Sequence, residues 1–213
     1  MPYVRPTRSM PPPVPPLLIP TPAVAPLIPP THAVDLMTAE GSAVFGATWR
    51  CKEAKIIEVP ALSDSRPEYK TTYDIDPHAE VLGFDDSGWE VVDPTDLGGR
   101  RGGGLLSFVW YRAALTIPRE AQGFATAGAK AVLRVNVDDY AEVWVNGELP
   151  RAAGRPSAAC IQGFNMPHRL VLGGDTVQPG ERFEVAVFAI NGPLSAGPAN
   201  FLWFREAKVE FFV

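Results

Sequence analysis

With 213 residues and a mass of 23.0 kDa, the chain has material for one domain with a sizeable core plus an appendage. A formal charge of −5 and a pI near 5.2 exclude a nucleic-acid surface, which needs clustered Lys and Arg. The one basic pair, Arg100-Arg101, lies in a glycine run and is too small to change that.

Residues 11–30 contain ten prolines, a density that no membrane or signal helix tolerates, because each proline lacks a backbone donor and clashes with the preceding turn. Fixed φ angles favour an extended polyproline II arm over residues 1–34. Solvated linkers are usually polar, yet this one carries Val14, Leu17, Leu18, Ile19, Val24, Leu27 and Ile28. Apolar side chains in such number mark a surface that something covers, so the arm is expected to lie across a partner subunit or a second copy of the chain. The stretch has no continuous apolar centre of the export type, which favours the cytoplasm.

Residues 35–213 form the body. β-prone runs are expected at 42–49, 55–59, 105–117, 131–137, 140–145, 169–172, 183–190 and 207–212, with Pro60 and Pro118 closing the second and third. Phe183, Val185, Val187 and Ala189 alternate with Glu184, Ala186 and Phe188, so one face is wholly apolar and the other partly so. Asn146-Gly147, Gly173-Gly174-Asp175, Pro179-Gly180 and Asn191-Gly192-Pro193 supply the turns. Residues 136–148 are expected to form a meander, with a tight Asp138-Asp139 corner and an Asn146-Gly147 hairpin turn. No segment after Asp35 carries a sustained helical stripe. The fold class is therefore all-β, an antiparallel sandwich or jelly roll. Residues 61–80 and 191–204 are the long irregular connections, where binding sites on a rigid sandwich usually lie.

Cys51 and Cys160 are too few for a disulfide framework and are expected to be free, mostly buried thiols. His32, His78 and His168 have no metal-ligand spacing. Ser107 and Ser195 have no histidine near in sequence, and the glycine run at 98–104 lacks the Lys-Ser/Thr of a phosphate loop.

Four pieces follow one another along the body: Phe84-Asp85-Asp86-Ser87-Gly88-Trp89, Trp110-Tyr111-Arg112, Asp138-Asp139-Tyr140-Ala141-Glu142-Val143-Trp144-Val145-Asn146-Gly147, and Pro179-Gly180-Glu181. In that order they resemble the galactose-binding-domain-like jelly roll, above all the sugar-binding domain of family 2 glycoside hydrolases. The resemblance spans residues 84–191 and implies a non-catalytic carbohydrate-binding or accessory module, since nothing in the chain is long enough to supply that family's catalytic barrel. The other class is an interaction subunit tied into a larger complex by its arm; an enzyme is the third. No cofactor is expected, calcium being the one ion such a fold could take, although Asp85, Asp86, Asp138 and Asp139 suit turn formation.

A sugar site needs an aromatic face and planar polar groups. The stretch from Gly197 to Arg205 offers both, through Phe201, Trp203 and Phe204 with Asn200 and Arg205. The alternative is that these aromatics close the core edge. Tyr69, Tyr73 and His78 are expected to form the opposite wall, and Asn165 belongs to a third loop of mixed character. The candidate ligand-binding set is Asn200, Trp203, Arg205, Tyr73, His78 and Asn165.

Overall fold

The computed structural model describes residues 25–60, 71–149, 151–152, 155–156, 161–162, 165–191 and 201–213. The elements are β1 (His32–Asp35), α1 (Ala39–Val44), β2 (Trp49–Glu53), β3 (Lys55–Pro60), β4 (Thr71–Asp76), β5 (Glu90–Val92), a 3-10 turn (Pro94–Gly98), β6 (Ser107–Thr116), β7 (Glu120–Ala121), β8 (Phe124–Ala125), β9 (Lys130–Asp138), β10 (Tyr140–Val145), β11 (Arg151–Ala152), β12 (Arg155–Pro156), β13 (Ile161–Gln162), β14 (His168–Leu172), β15 (Arg182–Asn191) and β16 (Trp203–Phe212). They form an antiparallel sandwich. One sheet runs β1-β16-β9-β14, the other β13-β10-β15-β6-β2-β5, and β3-β4, β7-β8 and β11-β12 are small hairpins.

Alternation decides which side chains enter the core. From β6 come Val109, Tyr111, Ala113 and Leu115, and from β15 Phe183, Val185, Val187 and Ala189. They meet Leu133, Val135 and Val137 of β9 and Phe204, Val209 and Phe211 of β16 between the sheets. The opposite face of the six-stranded sheet is apolar too. Trp110, Ala186 and Phe188 pack under Ala79 and Trp89, with Ile75 and Phe84 beside them. The segment following β4 is thus a cover over the outer face, and this explains why that face of β15 is also partly apolar.

Three expectations change. Residues 42–49 are not a strand: Thr38 caps a short helix by accepting a bond from the Gly41 N–H at 3.0 Å, and the strand begins only at Trp49. The helix is six residues long, too short for its apolar spacing to show as a stripe. Residues 61–80 are not wholly irregular, since Thr71–Asp76 pairs with Lys55–Pro60. Nor is 136–148 a meander. Asp138-Asp139 carries the chain from the four-stranded sheet to the six-stranded one, β9 and β10 belonging to different sheets. The Asn146-Gly147 turn does form, with φ of 52° and 76° and reciprocal bonds between Val145 and Glu148.

That turn gives a first test. A Cβ at Gly147 would sit 3.1 Å from the Leu82 backbone nitrogen, at a positive φ that L residues rarely adopt. Gly147→Ala is expected to cost about 1–2 kcal/mol, measured as a lowered thermal unfolding midpoint.

Candidate functional site

Register brings one set of strand ends together. Tyr140 faces Ile190, Phe108 faces Ile190, Glu53 faces Val109, and Trp203 faces Asp138. Ala54 then donates to the Phe108 carbonyl as β3 begins, and Arg101 pairs with Leu202. The β3-β4 hairpin, the glycine run, the Asp138-Asp139 corner and the chain entering β16 therefore share one end of the sandwich.

The local chemistry centres on Trp203. In β16 the register slips between Phe204 and Glu206, a bulge that leaves both Arg205 and Glu206 outside the core while Phe204 and Ala207 point in. Arg205 Nε donates to Asp138 Oδ2 at 2.8 Å, and Nη2 donates to the same oxygen. Asp138 is buried although charged, as a paired carboxylate can be. The Arg205 guanidinium lies 5.5 Å from the half-buried Trp203 ring; that of Arg100 lies 5.2 Å from it and 6.0 Å from Phe201. The glycine run is hence not a loose loop: Arg101 fixes it to Leu202 and, through an ion pair of 2.9 Å, to Glu90.

Asn165 adjoins the corner. It adopts a φ of 59°, donates its N–H to the Asp139 carbonyl at 3.0 Å, and its own carbonyl accepts from Asn136 Nδ2 at 3.2 Å. Among the described residues, the enclosed side-chain oxygens of Asn136 and Asn165 have no hydrogen-bond partner. An acceptor left so costs about 1–3 kcal/mol.

Of the expected ligand residues, Trp203, Arg205 and Asn165 gather at this corner. Asn200 lies outside the described residues, as do Tyr69 and Cys160. Tyr73 belongs to the β3-β4 hairpin at the same end and His78 to the cover of the six-stranded sheet, and among the described residues no ring contact or hydrogen bond joins either to Trp203. The expected opposite wall is corrected accordingly, because Ile75 and Ala79 on the same segment are drawn onto Trp110 and Phe188. Phe204 closes the core, meeting Trp49 and Tyr111 edge-on at 5.6 and 4.9 Å. Asn136, Asp138 and Arg100 join the site without having been singled out for it. A signal existed for Asp138, whose position at a sheet-crossing corner only the strand order reveals.

A groove of about 220 Å³ on the six-stranded sheet is lined by Thr48, Arg50, Phe84, Asp86, Arg112, Arg182 and Glu184. Arg112 is buried and donates to Asp86 at 3.0 Å, to Glu184 at 3.1 Å and to the Ala79 carbonyl. Arg50 donates to the carbonyls of Ser87 and Trp89, and Arg182 to Glu184. The Glu184 carboxyl is held below its ordinary range, first by the Gly83 N–H and then by Arg182 and Arg112. Arg50 and Arg112 tie the 77–89 cover to the sheet, and Arg182 pairs with Glu184 on its own strand. Asp86 therefore does more than shape a turn, whereas Asp85 accepts from the Ser87 N–H as a turn-former does.

His78 is clamped between Asp74 at 3.1 Å and Glu80 at 2.8 Å. Glu80, then Asp74, raise its pKa above the usual 6.5. The stabilisation from this clamp is full below the unfolded pKa and disappears as pH rises through the elevated folded one. An NMR titration of His78 is expected to give a midpoint above 6.5 that falls on Glu80→Gln.

Burial pushes the free Cys51 thiol up to about 11, which keeps it protonated and poorly nucleophilic at neutral pH. Among the described residues, no group of three or more His, Cys, Asp or Glu side chains is arranged to hold a metal ion, and no helix is long and apolar enough to cross a membrane.

No protein-family model matches the chain, and no curated protein matches it. Solved structures similar to it include a β-glucosidase from Kluyveromyces marxianus, at 14% identity and a TM-score of 0.39, covering 83% of this chain and 19% of that one. A Faecalibacterium prausnitzii β-glucuronidase is similar at 16% identity and a TM-score of 0.38, covering 89% and 32% respectively. An uncultured Clostridium β-glucuronidase is similar at 15% identity and a TM-score of 0.26, covering 67% and 22%. The chain thus spans less than a third of the length of each of these proteins.

Proposed function

We propose that this domain binds carbohydrate without transforming it, at the corner where β9 crosses to β10, and serves as an accessory module. One observation carries the reading: an aromatic ring (Trp203), two guanidinium groups (Arg100 and Arg205), a carboxylate (Asp138) and two amides (Asn136 and Asn165) converge at the loop-bearing end. Sugars present C–H faces to indoles and paired hydroxyls to planar polar groups, and this set supplies both. A ligand hydroxyl or a water would bring donors to these enclosed amide oxygens. Screening the protein on a glycan array, followed by calorimetry on the hits, is expected to yield a saccharide whose affinity falls at least tenfold on Asn165→Ala. Absence of binding to any glycan at millimolar concentration would overturn the reading.

A second reading, an interaction subunit, is favoured by a different observation. Leu105, Leu106, Tyr140 and Met166 lie exposed around this same end, Leu105 at 79% and Met166 at 55%. Exposed side chains of this size mark protein contacts. Co-purification from the native source with a stoichiometric partner, lost on Leu105→Asp, is the result that would favour it over sugar binding.

A further inference from the structure

The outer face of the four-stranded sheet holds side chains that neither core accounts for. Val132 is 0% exposed, Glu210 2% and Phe212 6%, yet Ala131, Leu133, Phe211 and Val209 are the neighbours that point into the sandwich. On this face Arg169 of β14 donates to Glu210 at 2.9 Å and lies 5.8 Å from the Phe212 ring, and Arg134 pairs with Glu206 at 2.6 Å. Another donor of Arg169, Nη1, bonds the carbonyl of Pro26 at 2.6 Å.

That last contact fixes the course of the chain. Thr31 donates to the Phe211 carbonyl and accepts from the Val213 N–H, so it is fastened beside β16 as β1 begins. Pro26 is held by the Arg169 guanidinium, which reaches from β14 across β9 to Glu210 and the Phe212 ring of β16. The segment from Pro26 to Thr31 therefore lies against the outer face beside β16, with Leu27 and Ile28 turned outward. The contact has the elements of proline-rich recognition: an aromatic ring, an arginine over it, and a donor to a proline carbonyl.

We propose that this face is the docking surface for the chain's own proline-rich segment, residues 11–31, which straps the sheet in cis. Residues 11–24 reach the sandwich at Ala25-Pro26, already seated on Arg169, and carry no charge that would have to be desolvated there. Their proline carbonyls, which have no partner within a polyproline II helix, suit the arginine donors of this face.

The test uses methyl and aromatic NMR of the full chain. Proline ring protons are expected to give NOEs to the Val171 methyls and the Phe212 ring. Replacing residues 11–24 by a Gly/Ser stretch of equal length should leave only the NOEs from Pro26, Pro29 and Pro30 and shift the Val132, Val171 and Phe212 resonances. A synthetic peptide of residues 9–31 added to that variant should move these resonances back towards the wild-type positions. Arg169→Ala should also lose the NOEs; because it strips a partner from buried Glu210, Arg169→Lys provides the folded alternative. Resonances unchanged by the Gly/Ser replacement would overturn the proposal. So would NOEs found between differently labelled chains in a mixed sample, which would put the strap on a second copy.

Discussion

Arg112→Ala is expected to destabilise the fold by about 3–5 kcal/mol, the range for removing one partner of a buried ion pair. The residue is 4% exposed and is the hub of three contacts, to Asp86, Glu184 and the carbonyl of Ala79. Alanine would leave Asp86 paired with Arg50 at 3.6 Å, Glu184 paired with Arg182 at 2.9 Å, and a buried carbonyl without its donor. The damage would spread, because Ala79 and Trp89 are held over Trp110 and Phe188 by the segment that Arg112 anchors. Arg112→Lys should recover only part of the loss, since an ammonium cannot serve three acceptors in the fork geometry of a guanidinium. Urea denaturation, compared at equal m, measures both variants.

Trp110→Ala and Trp203→Ala are expected to separate structure from recognition. Trp110 is 1% exposed, packs tilted against Phe188 at 4.8 Å and donates its indole N–H to the Pro77 carbonyl at 2.9 Å. Its loss should cost about 3–5 kcal/mol, as for other fully buried tryptophans, with no specific effect on ligand affinity beyond the unfolded fraction. Trp203 is half-buried at the sandwich end and contacts guanidinium groups rather than the core. Its replacement should cost about 1 kcal/mol or less, the worth of an exposed cation–π contact, and remove glycan binding. A Trp203→Ala protein as unstable as Trp110→Ala would assign Trp203 to the core.

The fold was readable where alternation is strict. Strands β6, β9, β10, β15 and the 207–212 part of β16 follow from period-two patterns and flanking turn residues, and the sandwich follows from their number, whereas Trp203 and Phe204, expected in an irregular connection, already belong to β16. Helix α1 was not, because a single turn of helix is defined by one cap, Thr38, rather than by periodicity. The Asp138-Asp139 corner misled for a different reason: a tight reversal between two strands has the same local chemistry whether it joins neighbours in one sheet or crosses to another, and only long-range pairing distinguishes them. The site was partly visible. Trp203 and Arg205 stand in a recognisably aromatic and polar run, but Asp138 and Asn165 reach them through the strand order. Tyr73 and His78 were drawn away because Ile75 and Ala79 are the apolar members of that segment and have a sheet face to cover.

The arm illustrates the same limit. Its composition announced a covered surface, but not whose. The bond from Arg169 to Pro26 places its described end on the chain's own four-stranded sheet.

The central claim, carbohydrate recognition at the crossing corner, is tested most directly by mapping chemical-shift changes on titration with the saccharide selected on the glycan array. Saturable shifts are expected at the Trp203 indole, the Arg205 Nε–H and the amides of Asn136 and Asn165. Shifts confined to the groove at Arg50, Arg112 and Arg182, or none at all at saturating sugar, would contradict it.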